Sequence, residues 1–226
     1  MRAVVFCTTH LYVLCSVSAF PSNILTRNFE CCVAHPDFIS LLCLGAQRKG
    51  MVIFMIISAE HIEQPYDGEY FEKIYDIYSA WNSRDWIWIK FIDESGEWCG
   101  EFRGSYKGVS ISQKLGIVVV LTSDHMYVLD INSAEVIEYL SQPAYVGITA
   151  SPLGDIFVTD GYNFEMFTTP KIKDIKRIDT PINPDSLEFI EWNNNVLKMT
   201  CYEFLNWENE VELFFDCKSM QWIDKA

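Results

Sequence analysis

The chain has few of the short signatures that mark catalytic or nucleotide-binding proteins. It contains no phosphate-cradling glycine loop, no dinucleotide glycine pattern, no His-Glu-x-x-His and no Gly-x-Ser-x-Gly. Gly108-Val109-Ser110-Ile111-Ser112 begins like the last of these but lacks the second glycine. No Asp-x-Asp-x-Asp-Gly run offers calcium ligands. No Asn-x-Ser/Thr acceptor for glycosylation occurs. Basic residues are scarce: 17 Lys and Arg stand against 31 Asp and Glu, a net charge of −14. The deficit is uneven, with residues 1–50 at +2 and residues 51–226 at −16. A domain this acidic repels phosphate backbones and anionic lipid surfaces, which argues against nucleic-acid and membrane partners; the acidity reads either as a solvated face or as a docking surface for a basic protein. After residue 50 only His61 and His125 remain.

What the chain does have is apolar and aromatic mass. Half of its 226 residues are hydrophobic and 15% are aromatic, enough to bury a core and too much for a disordered chain. The composition changes near Met51. Five of eight cysteines (Cys7, Cys15, Cys31, Cys32, Cys43) precede it, and all seven tryptophans follow it. Residues 1–50 are therefore read as a leader and residues 51–226 as the folded domain.

Two readings compete for the leader. Arg2, the apolar run from Ala3 to Val17 and the small residues Val17-Ser18-Ala19 resemble a secretory signal, although Thr8, Thr9 and His10 interrupt the run. Alternatively, Gln47-Arg48-Lys49-Gly50 before Met51 can be encoded by CAA-AGG-AAA-GGN, followed by ATG. That string holds a purine-rich bacterial ribosome-binding sequence, so the leader would be translated upstream DNA. The second reading is preferred and implies a cytoplasmic protein; the first implies a secreted one. Cys31-Cys32, His35 and Asp37 are zinc-ligand types. Adjacent cysteines fit tetrahedral geometry poorly and no second Cys-x-x-Cys pair exists, so no metal is expected. The three later cysteines, Cys99, Cys201 and Cys217, cannot all pair within one chain, which fits a reducing cytoplasm.

From residue 70 onward the sequence repeats. At an offset of 38, Leu115 to Thr122 lies over Leu153 to Asp160, and Met126-Tyr127-Val128-Leu129 lies over Phe164-Glu165-Met166-Phe167. Read backwards, the offset places Ile89 on Tyr127 and Ser95-Gly96-Glu97-Trp98 on Ser133-Ala134-Glu135-Val136. Ser219-Met220-Gln221-Trp222 is a fourth copy after an insertion. The units are β: Trp86 to Ile92 and Ile117 to Leu121 are short runs of β-branched and aromatic residues between turn-forming clusters. The continuous run Ile117–Leu121 predicts burial on both faces, and the alternation Val211-Glu212-Leu213-Phe214 predicts an outer strand with one wet face. Glu69 to Trp81 has helical spacing, but the repeat favours a strand. Four strand groups result, at about 70–102, 109–140, 146–178 and 186–223. Each is a meander that cannot bury its faces alone, so neighbours must stack.

Tyr127 to Val136 resembles the inner hairpin of β-propeller blades of the quinoprotein-like and YVTN-like type: apolar strand, Asp, two residues, Ser/Thr, Gly, Glu/Lys, apolar. Phe215 to Trp222 repeats that pattern. Ala134 and Met220 stand where glycine is usual, and the third unit has Thr168-Thr169-Pro170-Lys171 instead. The resemblance implies an all-β, propeller-like array of about four antiparallel meander units and carries no functional residues. An open partial propeller and a β-sandwich are the alternatives. Met51 to Ser58 is apolar and would close the ring or cap an edge.

No catalytic residue and no cofactor is expected. Asp124-His125 falls in a tight turn between strands, where a histidine ordinarily faces solvent. The clusters Asp93, Glu94, Glu97, Glu101 and Glu208, Glu210, Glu212 read as solvated turns and outer strands. Aromatic residues supply the candidate binding site, because Trp and Tyr dominate interaction hot spots. Trp86 and Trp88 share one face of a strand. The insertion Tyr202 to Asn209 breaks the repeat spacing and carries Phe204, Leu205 and Trp207 at its tip. The expected function is a non-catalytic protein-interaction module, with neutralising or scaffolding a basic protein such as a toxin as its variant. The alternative is a carbohydrate-binding or glycoside-acting domain using tryptophan platforms and carboxylates.

Overall fold

The computed structural model describes residues 55–223. Those residues are all-β, arranged as four four-stranded sheets in chain order. Sheet 1 holds β1 (Ser58–Ile62), β2 (Phe71–Tyr75), β3 (Trp86–Asp93) and β4 (Gly96–Arg103). Sheet 2 holds β5 (Tyr106–Ser112), β6 (Ile117–Thr122), β7 (His125–Asp130) and β8 (Val136–Ser141). Sheet 3 holds β9 (Gly147–Ala150), β10 (Ile156–Thr159), β11 (Phe164–Phe167) and β12 (Ile175–Ile178), with a 3-10 turn at Ile172–Asp174. Sheet 4 holds β13 (Pro184–Asn193), β14 (Val196–Glu203), β15 (Asn206–Asp216) and β16 (Gln221–Trp222). The strand groups read from the sequence match sheets 2 to 4 to within about three residues at each end.

Side-chain alternation explains the stacking. Along β6, Val118 and Val120 point to sheet 1, where they meet Ile89, Phe91 and Phe102. Ile117, Val119 and Leu121 point the other way, to Ile156, Val158 and Phe167 of sheet 3. All six β6 residues are buried, as the unbroken apolar run predicts. Sheets 3 and 4 are joined by Phe157, Phe164, Leu197, Met199 and Phe215. Their rings meet edge to face, with Phe164 and Phe215 centroids 5.1 Å apart and Phe215 and Trp222 5.0 Å apart. Each of these buried phenylalanines contributes about 1.5–3 kcal/mol by burial. Among the described residues, the three hydrophobic clusters join sheets 1–2, 2–3 and 3–4. The array is therefore an open row of blades, with one face of sheet 1 and one face of sheet 4 not covered by another described sheet.

The first strands of the sheets face one another. β5 lies against both β1 and β9, and β9 lies against β13. A Cβ added at Gly108 would overlap the side chain of Ile148, so β5 and β9 approach as closely as they do because position 108 is glycine. His61 of β1 stacks on Tyr106 of β5, with centroids 4.1 Å apart.

Three sequence readings are corrected. Sheets 2, 3 and 4 are simple meanders, but sheet 1 is not. Its order is β1-β3-β4-β2, and β2 crosses to the outer edge to run parallel to β4. The apolar start of the domain supplies the innermost strand at Ser58–Ile62, one turn later than Met51 to Ser58; Met51 to Phe54 lie outside the described residues. As a result the offset of 38 is true between sheets 2 and 3 and reads sheet 1 one strand out. The β3–β4 hairpin joins the second and third strands of its sheet, whereas Asp130 to Val136 joins the third and fourth. That turn is consequently the outer hairpin of its blade, not the inner one. Glu69 to Trp81 contains a strand, as the repeat favours.

The turns follow the expected chemistry. Asp130 Oδ1 accepts the N–H groups of Asn132 (2.9 Å) and Ser133 (2.8 Å), and Asp216 Oδ1 accepts that of Lys218 (2.9 Å). Ala134 and Met220 adopt φ of 54° and 55°, the conformation for which glycine is usual. The leader 1–50, with its signal-like segment and the Cys31-Cys32-His35-Asp37 group, lies outside the described residues.

Candidate functional site

Of the apolar residues singled out, Phe204, Leu205 and Trp207 are the more accessible. β14 and β15 form a long hairpin whose two-residue turn is Phe204-Leu205. Leu205 takes a positive φ of 67° to close it. Phe204 N–H donates to the Asn183 carbonyl at 2.9 Å, which ties the tip to the start of the sheet. Tyr202 pairs with Glu210 and Glu203 with Asn206, so Trp207, Glu208 and Asn209 bulge out of the ladder. The Trp207 ring leans on Tyr202, centroids 5.7 Å apart. Exposures of 51% for Phe204, 78% for Leu205 and 62% for Trp207 leave all three available to a partner. Glu203, Glu208 and Glu210 surround them and are also exposed. Among the described residues, none of these three carboxylates has a cation within ion-pair distance.

Trp86 and Trp88 do share a face, as alternation requires, but at the other end of the row. They lie on the outward face of sheet 1 and are half-buried. The Arg103 guanidinium sits over the Trp86 ring, 4.4 Å from its centroid, and bonds both Asp76 carboxylate oxygens at 2.8 and 3.0 Å. Trp86 is thus already engaged within its own sheet. Register places Ile62, Trp88, Glu101 and Ile74 in one row across that face. Glu101 is held above the usual carboxylate range, chiefly by burial and then by the hydrogen bond and charge of Glu72. Neither groove described below includes this carboxylate pair.

The structure corrects the reading of His125. It is buried, as is Asp124. The His125 ring contacts the Tyr78 carbonyl through Nε2 and the Tyr127 hydroxyl through Nδ1, each at 3.3 Å. The Tyr127 hydroxyl donates to the Tyr75 carbonyl at 3.1 Å. Asp124 Oδ2 accepts the Ser83 N–H at 3.0 Å, and Thr122 Oγ1 donates to the Arg103 carbonyl at 2.8 Å. Burial pulls His125 below its ordinary pKa of 6.5 despite the opposing Tyr78 carbonyl, and burial raises the Tyr127 phenol. Two of these partners, the Tyr78 carbonyl and the Ser83 N–H, belong to the strap between β2 and β3, and the Tyr75 carbonyl stands at its start. The cluster therefore pins that strap to sheet 2. No buried side-chain nitrogen or oxygen among the described residues lacks a hydrogen-bond partner. No group of three or more ligating side chains that could hold a metal occurs there either.

Sequence reasoning passed over the strap itself. Tyr78 and Trp81 on it are 82% and 59% exposed, as are Tyr66 before β2 at 86% and Phe71 and Ile74 on β2 at 75% and 62%. Its helical spacing drew attention to period instead of exposure. Grooves occur among the described residues. One, about 320 Å³, crosses sheet 4 between Glu191, Asn193, Asn194, Val196, Lys198 and Phe214. The other, about 420 Å³, lies between the β5–β6 and β9–β10 turns. Cys99, Cys201 and Cys217 are buried and unpaired, and burial raises the thiols of Cys99 and Cys201 to about 11. Burial also raises the Cys217 thiol. No described helix is long and apolar enough to cross a membrane.

No protein-family model matches the chain, and no curated protein matches it. Among solved structures, the N-terminal domain of Nup159, a β-propeller, is similar at 14% identity and a TM-score of 0.36. That likeness covers 54% of this chain and 34% of the other, so the match spans about a third of that domain's length.

Proposed function

We propose that this protein is a non-catalytic interaction module that binds a basic protein through the β14–β15 hairpin. The observation that carries this reading is the exposure of Phe204, Leu205 and Trp207 on one hairpin, beside Glu203, Glu208 and Glu210, which have no cation within ion-pair distance among the described residues. Aromatic anchors ringed by charge are the usual makeup of a binding hot spot. The net charge of −16 over residues 51–226 would steer a cationic partner and raise its rate of encounter. The three unpaired thiols support a reducing compartment, the cytoplasm.

Immobilised full-length chain, challenged with proteins from its source at low and moderate salt, tests the reading. A basic protein retained by the native chain, released by salt and lost with Trp207→Ala is the expected result. Retention of the same protein by a folded variant carrying Phe204→Ser, Leu205→Ser and Trp207→Ala would refute it.

A further inference from the structure

Sheet 1 obtains its fourth strand by a route that sheets 2, 3 and 4 do not use. Only Gly104 and Ser105 separate β4 from β5, so no antiparallel strand follows β4 in the sequence. β2 fills that outer place instead, parallel to β4 over Phe71–Tyr75. It hangs between two long connections, residues 63–70 before it and 76–85 after it. With such tethers it can leave without moving β1 or β3. A parallel ladder is also slightly weaker per residue than an antiparallel one. Burial holds β2 lightly: Tyr75 is its only buried residue, and Tyr75 and Ile77 are what β2 and the strap add to the layer between sheets 1 and 2. β1, β3 and β4 form their own antiparallel ladder, and they meet sheet 2 without β2, through Ile89, Phe91 and Phe102.

We infer that β2 and the strap form a latch: residues 71–85 detach from β4 and sheet 2 as a unit, and return, while the rest of the array stays folded. The fastenings are few. The Tyr75 hydroxyl and the Lys73 ammonium both donate to the Ala134 carbonyl, and Lys73 pairs with Glu135 at 2.8 Å. Asp76 pairs with Arg103, the Tyr78 carbonyl meets His125 Nε2, and the Ser83 N–H donates to Asp124. One partner of each ion pair is well exposed, so neither pair holds strongly. Opening leaves sheet 1 as three strands and uncovers the outer edge of β4 together with Cys99. That thiol is fully buried, and its register neighbours are Lys90 of β3 and Glu72 of β2. Alternation along β2 and β4 puts Cys99 on the face opposite Lys73 and Tyr75. The latch lies in sheet 1, and the inference is independent of the hairpin reading above.

The three buried thiols provide the test. The full-length chain is alkylated with iodoacetamide at one pH over a series of low urea concentrations, and mass spectrometry follows each cysteine separately. Cys201 and Cys217, both buried against sheet 4, are the internal reference. The expected result is that Cys99 reacts at least about tenfold faster than either, with a shallower dependence on urea, because the latch exposes less surface than unfolding does. A Lys73→Met, Tyr75→Phe variant takes both side-chain donors from the Ala134 carbonyl. It should speed Cys99 by about tenfold or more and leave Cys201 and Cys217 unchanged. Equal rates with equal urea dependence at all three thiols would overturn the latch, since only global unfolding would then expose Cys99. A fast Cys99 rate that the variant does not alter would overturn it too, and would assign the access to motion of the Glu72 and Lys90 side chains. Acceleration of all three thiols in the variant would show that β2 opens only with the core, which also overturns it. None of these outcomes bears on the hairpin, which is judged by its own retention test.

Discussion

Ala134 and Met220 hold the left-handed turn conformation without being glycine. A left-handed L-residue is strained by about 1–2 kcal/mol. Glycine would relieve that strain but gains freedom in the unfolded chain, which returns about 0.4–1 kcal/mol. Met220→Gly, at a site 40% exposed, should therefore stabilise the protein modestly, by about 0.5–1 kcal/mol, in urea unfolding. His125 carries a second prediction. Its folded pKa lies below the unfolded 6.5, so the stability it contributes is complete above that value. It is lost as pH falls from there through the lower folded value, because the unfolded chain takes up the proton first. Unfolding measured between about pH 7 and pH 5 should show a steeper loss for the native chain than for His125→Gln. The Asp-x-x-Ser turns were legible in the sequence because they are local. The burial of His125 was not, because its partner Tyr78 comes from a strap 47 residues earlier.

At the scale of the element, strand identity was readable and strand position was not. β6 declares itself by six apolar residues, and β10 and β11 follow from the offset of 38. Nothing local shows that β2 leaves its sequence neighbours to lie parallel beside β4. That placement is set by Tyr75, whose ring stacks on Phe102 at 4.4 Å and whose hydroxyl donates to the Ala134 carbonyl at 2.7 Å. It is also set by Lys73, which bonds the same carbonyl at 2.9 Å. The hairpin tip was legible as an insertion. Trp86 and Trp88 were placed on one face, but the guanidinium stacked on Trp86 comes from β4. The close approach of β5 and β9 gives a test at this scale. Gly108→Val would drive a side chain into Ile148 and should cost about 1–3 kcal/mol, read as a lower urea midpoint.

Across the whole described array, burial should grade from the middle of the row outward. Sheets 2 and 3 are covered on both faces, and sheets 1 and 4 on one. Leu121→Ala, in the layer between sheets 2 and 3, should cost about 2–5 kcal/mol, whereas Ile74→Ala on sheet 1, 62% exposed, should cost about 0.5 kcal/mol or less. The propeller-like architecture was readable because a repeated unit must stack to bury its faces. The openness of the row was not, since it depends on which faces find no partner.

Hydrogen exchange of the full-length chain, resolved by segment, tests that architecture most directly. The account predicts the slowest amides in β6, β7 and β10 and faster exchange in β3 and β14. Protection that is uniform across the four sheets, or greatest in sheet 1 or sheet 4, would contradict it.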